Sequence, residues 1–261
     1  MIYKKKKVLI TGGTHGIGLA ISEILAKKKF DIATFSRSQS RINQFKKKMR
    51  KYKIKTSTKK LDVLNNISLD NYFNDLKKNF GNIDILINNV GGGGSWGKEY
   101  VENTNYKVWS DVLEKNVGVA IKLIKLSIPH MKKKKWGRVI TIASVAAKRG
   151  MGRPWYVLAK KAEITLTKTL SVKRDLVRKG ITFNSISPGA IMIPNTGWFF
   201  RKKENPKKFS KFINDKFPLG RLGKPEEIAS IVPFLCTDES RFINGADIVI
   251  DGGQSNEEYE D

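Results

Sequence analysis

Apolar residues in this chain fall into short runs separated by longer stretches with helical spacing. The runs are VLIT at 8–11, IATF at 32–35, IDILIN at 83–88, RVITIAS at 138–144, ITFNSIS at 181–187 and ADIVID at 246–251. Four of them have nearly continuous apolar cores, the pattern of strands buried on both faces. A further strand is placed ahead of Leu61-Asp62-Val63. Strands alternating with helical segments predict an α/β fold, a doubly wound parallel sheet covered on both sides. No internal repeat, linker or composition break divides the 261 residues, so 1–261 is expected as one domain. One stretch, at about 190–218, is irregular and mixes prolines, aromatics and charges. It reads either as a surface excursion or as a substrate lid. The last six residues, NEEYED, are acidic and expected to fray.

In such a sheet, ligands sit beyond the carboxyl ends of the strands, where the strand order reverses. Polar or glycine residues follow each strand in turn. They are TGGTHGIG, Ser36-Arg37-Ser38, Leu61-Asp62-Val63, Asn88-Asn89-Val90-Gly91, Ala143-Ser144 and Pro188-Gly189. In TGGTHGIG, Gly12, Gly16 and Gly18 precede the helical LAISEILAKK. A tight turn there aims backbone N–H groups at an anion, helped by the positive end of the helix dipole. The second strand ends FSRS, with no acidic side chain. Arg37 is a phosphate fork and Ser36 and Ser38 are hydroxyl donors, with His15 a further candidate donor. A ribose 2′-phosphate suits that end better than a bare 2′-hydroxyl, so NADP(H) is expected over NAD(H).

Tyr156 and Lys160 stand four apart in PWYVLAKKAEITLTKTL, a helical segment whose start suits Pro154. They share one face. The lysine charge favours tyrosinate, and the phenol can exchange a proton with a carbonyl or alcohol. Ser144, at the end of a strand, can hydrogen-bond the same oxygen.

Composition adds limits. The longest apolar runs are far short of the roughly 18 residues that suggest a membrane span. Basic-then-apolar MIYKKKKVLI runs straight into the glycine turn and reads as the first strand, not a leader. A single cysteine, Cys236, excludes an internal disulfide framework and fits a reducing cytoplasm. The formal charge of +26 is spread along the chain in lysine runs. Without a nucleic-acid motif, the excess is read as solvated surface, with acidic partners as the alternative. No metal site is expected.

Together these pieces resemble the short-chain dehydrogenase/reductase family, in its classical subfamily. The matching residues are TGGTHGIG, Asp62, NNVGG at 88–92, Asn116 in EKNVG, Ser144 in TIAS, YVLAK at 156–160, SPG at 187–189 and INGADIVIDGG. They occur in the family's order over nearly the whole chain. The resemblance implies a Rossmann fold with a seven-stranded sheet and NAD(P)-dependent hydride transfer. It makes Tyr156 the acid/base, Lys160 its tuner and ribose anchor, Ser144 the carbonyl orienter, and Asn116 the support of a water relay. Gly12, Gly16 and Gly18 would line the phosphates, Asp62 and Val63 flank the adenine, and Asn89 approach the adenosine ribose. Thr14, Ile17, Val90, Gly91, Pro188, Gly189 and Ile191 complete the expected cofactor contacts. A homotetramer or homodimer is implied, with INGADIVIDGG at one interface.

The chain departs from the family at Ile193, where many members carry a threonine; Thr196 is the candidate substitute. PLGRLGKPEEIA at 218–229 is similar to reductases of 3-oxoacyl thioesters on acyl carrier protein, an acidic partner that would suit a basic surface. A sugar, nucleotide sugar or other small polar substrate is the alternative, and a non-catalytic NADP-sensing or nucleic-acid-binding scaffold the remote one. Gly94, Trp96, Trp155 and Trp198 are candidate substrate contacts.

Overall fold

The computed structural model describes residues 6–93, 96–98, 100–150 and 152–256. Among them seven strands form one parallel sheet in the order β3-β2-β1-β4-β5-β6-β7. They are β1 (Lys7–Thr11), β2 (Asp31–Ser36), β3 (Thr56–Lys60), β4 (Ile85–Asn88), β5 (Gly137–Ile142), β6 (Ile181–Pro188) and β7 (Asp247–Ile250). The order reverses between β1 and β4, whose register aligns Leu9 with Leu86. The sheet is therefore doubly wound, a Rossmann-type fold.

Alternate residues of the central strands supply two separate cores. Val8, Ile10, Ile85, Ile87, Ile140 and Ile142 face α1 (Gly16–Lys27) and α2 (Gln39–Met49). Leu9, Leu86 and Val139 face α3 (Asn66–Asn79) and α5 (Val119–Lys134) on the other side. This is why those strands read as continuous apolar runs: both of their faces are buried. Strand β3 has no such run. It is an edge strand of TSTKK, its outer residues exposed, and β-branched threonines with lysines suit that position.

Between α3 and α5 lies α4 (Tyr106–Leu113), which continues through a π-helical turn, Glu114–Gly118, into α5. After β5 come a short α6 (Ala146–Arg149), the 18-residue α7 (Pro154–Ser171) with proline in its first turn, and a short α8 (Arg174–Val177). Composition suggested an irregular stretch at 190–218, but it contains two helices, α9 (Gly197–Glu204) and α10 (Pro206–Lys216). Asn205 caps α10 by accepting from the Lys208 N–H at 2.9 Å, and Pro206 starts it. Phe209, Ile213 and Phe217, four apart, then pack with Leu222 and Trp198 into a small core of their own. Among the described residues no helix is long and apolar enough to cross a membrane.

Candidate functional site

The carboxyl ends of β1 and β4 are tied together by one side chain. The Thr11 hydroxyl accepts the backbone N–H groups of Asn89 and Val90, each at 2.7 Å. The Asn89 amide donates back to the Thr11 carbonyl at 2.9 Å. The glycine turn is fixed from the other side, where the Gly13 N–H donates to Thr34 Oγ1 at 2.8 Å. Gly12 and Gly16 hold φ of 64° and 54°, the left-handed region that glycine adopts without strain. Gly18 is needed for a different reason: a Cβ there would lie 2.5 Å from both the Asn89 amide and the Gly12 carbonyl oxygen.

A groove crosses this edge of the sheet, with a small hollow of about 220 Å³ at one end and a cavity of about 1110 Å³ at the other. His15, Asn89 and Gly91 line both. Gly12, Thr14, Ser36, Arg37, Asp62, Val63 and Val90 line the small hollow. Arg41 and Lys115 join them, and sequence reasoning missed both. Arg41 sits in the first turn of α2, four residues after Arg37, and Lys115 is brought in from the π-helical turn by the fold. Burial and the nearby Arg37 both lower the Lys115 ammonium's pKa. Burial, then Arg41, lowers that of the His15 imidazole. Cations crowded together without full neutralisation suit an anion at this end.

The larger cavity contains Gly16, Ile17, Ser144, Tyr156, Lys160, Pro188, Gly189, Ile191 and Trp198 in its walls. Ser144 follows β5, and its hydroxyl accepts the Ala146 N–H at 3.2 Å. Lys160 is buried, with its ammonium 5.8 Å from the Tyr156 ring centre. That ammonium donates to the Ile142 carbonyl at 3.0 Å and to Glu163 Oε2 at 2.9 Å. Glu163 is also buried and was missed in the sequence. The available signal was an acidic residue three positions after the lysine on an inward helix face. Burial pushes the Glu163 carboxyl up to about 7 against the pull of Lys160. Burial opposes the Lys160 charge, but Glu163 and Tyr156 together outweigh it and the ammonium's pKa is raised.

Other expected residues lie elsewhere. Asn116, buried in the π-helical turn, donates to the Gly92 and Val112 carbonyls at 2.9 and 2.7 Å and accepts the Gly92 N–H at 3.1 Å. It therefore fastens the loop after β4. A single-turn π-helix widens a helix locally, which suits an inward amide at this position. Ser38 caps α2 by accepting the Arg41 N–H at 3.3 Å and lines neither hollow. Trp155, expected against substrate, is a core residue. It is wholly buried, edge-on to Trp109 at 5.3 Å, and its indole donates to the Gly93 carbonyl at 3.2 Å. It follows Pro154 in the first turn of α7, facing away from the cavity that Tyr156 lines. Trp96, also expected on the substrate side, lines the small hollow, with the Lys115 ammonium 4.4 Å above its ring. Gly94 lies outside the described residues. Ile193 and Thr196 both line the cavity, and the Thr196 hydroxyl donates to the Ile193 carbonyl at 2.8 Å. Among the described residues no cluster of three or more His, Cys, Asp or Glu is placed to hold a metal.

A family model described as enoyl-(acyl carrier protein) reductase matches residues 12–255. The chain is a short-chain dehydrogenase/reductase. Among curated relatives of this oxidoreductase family, the 3-oxoacyl-(acyl-carrier-protein) reductase of Escherichia coli is 32% identical over 257 residues, covering 97% of this chain and 98% of that protein. A probable 2,4-dienoyl-CoA reductase of Bacillus subtilis is 31% identical, covering 96% and 97%. Among solved structures, L-sorbose reductase of Gluconobacter frateurii, complexed with NADPH and L-sorbose, superposes with a TM-score of 0.87 at 28% identity. That match covers 96% of this short-chain dehydrogenase/reductase and 97% of the sorbose enzyme.

The groove fits the dinucleotide expected of the family. The glycine turn opens α1 at its positive end, and the small hollow collects Arg37, Arg41 and Lys115 around Asp62. A dinucleotide carrying an extra ribose phosphate matches that charge better than one with a free hydroxyl.

Proposed function

We propose that the protein interconverts a carbonyl and a secondary alcohol with NADP(H). The observation that carries this is one cavity wall holding Ser144, Tyr156 and buried Lys160, continuous with a cationic nucleotide hollow. Arg37, Arg41, Lys115 and His15 would hold the adenine end of the cofactor, and Asn89, Gly91 and Gly189 the reaches toward the cavity. When bound, the cofactor supplies or accepts the hydride. The protein's part is the proton. Tyr156 donates it to the carbonyl oxygen in reduction, and Ser144 hydrogen-bonds that same oxygen. Lys160, kept charged by Glu163, favours the tyrosinate left behind.

Kinship supports a 3-oxoacyl thioester on acidic acyl carrier protein as substrate. The apolar walls formed by Trp198, Phe212 and Phe217 suit an acyl chain, and the basic surface suits the carrier. The lining of the cavity favours a second reading, a small polar carbonyl compound such as a sugar or sugar derivative. Arg149, Arg153, Arg201 and Lys216 all reach it, and among the described residues no aspartate or glutamate lines it. In either reading, residues 190–218 act as the lid, the chain works as one domain, and subunits pair into a dimer or tetramer.

The deciding experiment follows NADPH consumption with a 3-oxoacyl group on acyl carrier protein and on a small thiol. Turnover that prefers the protein carrier and weakens with salt supports the thioester reading. NADPH binding without turnover of either thioester moves the assignment to the small polar carbonyl compound.

A further inference from the structure

Arg153 is unlike the other cations of the cavity. Arg149 donates to the Gln254 carbonyl. Arg201 stacks on Phe212, its guanidinium carbon 4.2 Å from the ring centre. Arg153 lines the cavity, yet its Nη1 is buried and, among the described residues, has no hydrogen-bond partner. A buried guanidinium N–H is rarely left unpaired, so one beside a cavity is a donor that an acceptor entering the cavity can satisfy.

The surroundings fix this arginine in place. It immediately precedes Pro154 at the start of α7, and its carbonyl accepts the Tyr156 N–H at 2.9 Å. Its guanidinium carbon sits 5.8 Å from the ring centre of Trp155, which is wholly buried and pinned to the Gly93 carbonyl. Its side chain makes no capping bond to α7, so capping does not account for the residue. Among the described residues, no carboxylate in the cavity lining competes for it. A planar guanidinium among further cations selects a carboxylate or phosphate over a neutral acceptor.

We propose that Arg153 is an anion receptor within the substrate cavity, and that the substrate carries a carboxylate or phosphate near the carbonyl served by Tyr156. This rests on the carbonyl-reduction reading and narrows its small-substrate form. One turn of backbone links receptor and acid, so anion binding would set the carbonyl's position against the Tyr156 hydroxyl.

Two matched pairs test it: acetoacetate with methyl acetoacetate, and dihydroxyacetone phosphate with dihydroxyacetone. Calorimetric affinities are measured on the NADP⁺-loaded protein, for wild type, Arg153→Gln and Arg153→Lys, with melting curves to confirm folding. The proposal predicts that at least one anion binds about tenfold or more tighter than its neutral partner. Arg153→Gln should bring that ratio close to one, and Arg153→Lys should retain part of it. The pair showing the preference distinguishes carboxylate from phosphate. Failure of both pairs to show a preference overturns the proposal, as does equal weakening of anion and neutral partner in Arg153→Gln. NADPH oxidation with the same compounds separates the two claims. An anion preference without oxidation upholds the receptor and counts against carbonyl reduction. Oxidation without an anion preference does the reverse.

Discussion

Substituting Arg37 by glutamine tests the nucleotide end of the groove. Arg37 is exposed at the end of β2, while Lys115 is half-buried and its pKa is lowered first by burial and then by Arg37. A hydrogen bond between charged groups is worth about 1.5–3 kcal/mol, and exposure puts Arg37 at the lower end. Losing it should weaken NADPH binding about tenfold. Arg41 and Lys115 remain to hold part of the phosphate charge. Removing Lys115 as well, in Arg37→Gln/Lys115→Gln, should deepen the loss to about a hundredfold or more, because that ammonium is better shielded from solvent. NADH lacks the extra phosphate and should change by no more than about threefold in either variant, within about 0.7 kcal/mol. Calorimetric titration of both cofactors gives these ratios directly. Equal weakening toward NADPH and NADH would refute the argument, because it would locate Arg37 on a part that the two cofactors share.

Other predictions concern stability. Trp155→Phe removes the indole donor to Gly93 and leaves a small void in a wholly buried site. The lost bond and void together cost about 2–3 kcal/mol, which a melting curve should record as a fall of about 4–12 °C. An unchanged melting point with a raised KM would return Trp155 to the substrate side. Thr11→Val leaves the Asn89 and Val90 N–H groups without their acceptor and should cost about 2–4 kcal/mol by denaturant titration, with weaker NADPH binding; unaltered stability would mean that another acceptor replaces the hydroxyl. Burial raises the Asp84 carboxyl's pKa, but Lys134, the Lys7 N–H and His130 outweigh it and leave the value lowered. A carboxyl lowered on folding stabilises above its unfolded pKa and loses that contribution as pH falls through the folded value. Asp84→Asn should therefore flatten the acid side of the stability curve, and an unchanged acid limb would contradict the assignment.

How much of this was legible in the sequence followed burial. The central strands were readable because both faces are covered, which turns alternation into continuous apolar runs. Edge strand β3 carries TSTKK and gives no such run. The helices at 197–216 were hidden by their charges, although Asn205-Pro206 and the fourfold spacing of Phe209, Ile213 and Phe217 mark α10 in retrospect. Tyr156 and Lys160 share a helix, so their spacing alone places them together. Lys115 reaches the nucleotide hollow through tertiary packing, which no local pattern encodes, whereas Arg41 arrives with the first turn of α2, four residues after Arg37. The tryptophans illustrate the same limit. Trp155 and Tyr156 are neighbours in sequence, yet one enters the core and the other lines the cavity.

The most direct test of the central claim is the NADPH-dependent reduction rate of Tyr156→Phe beside wild type, on whichever carbonyl substrate wild type turns over. If Tyr156 supplies the proton, the variant should bind NADPH normally and lose about 10²–10⁴-fold in turnover. A rate within a few fold of wild type would contradict the assignment of Tyr156 and the mechanism built on it.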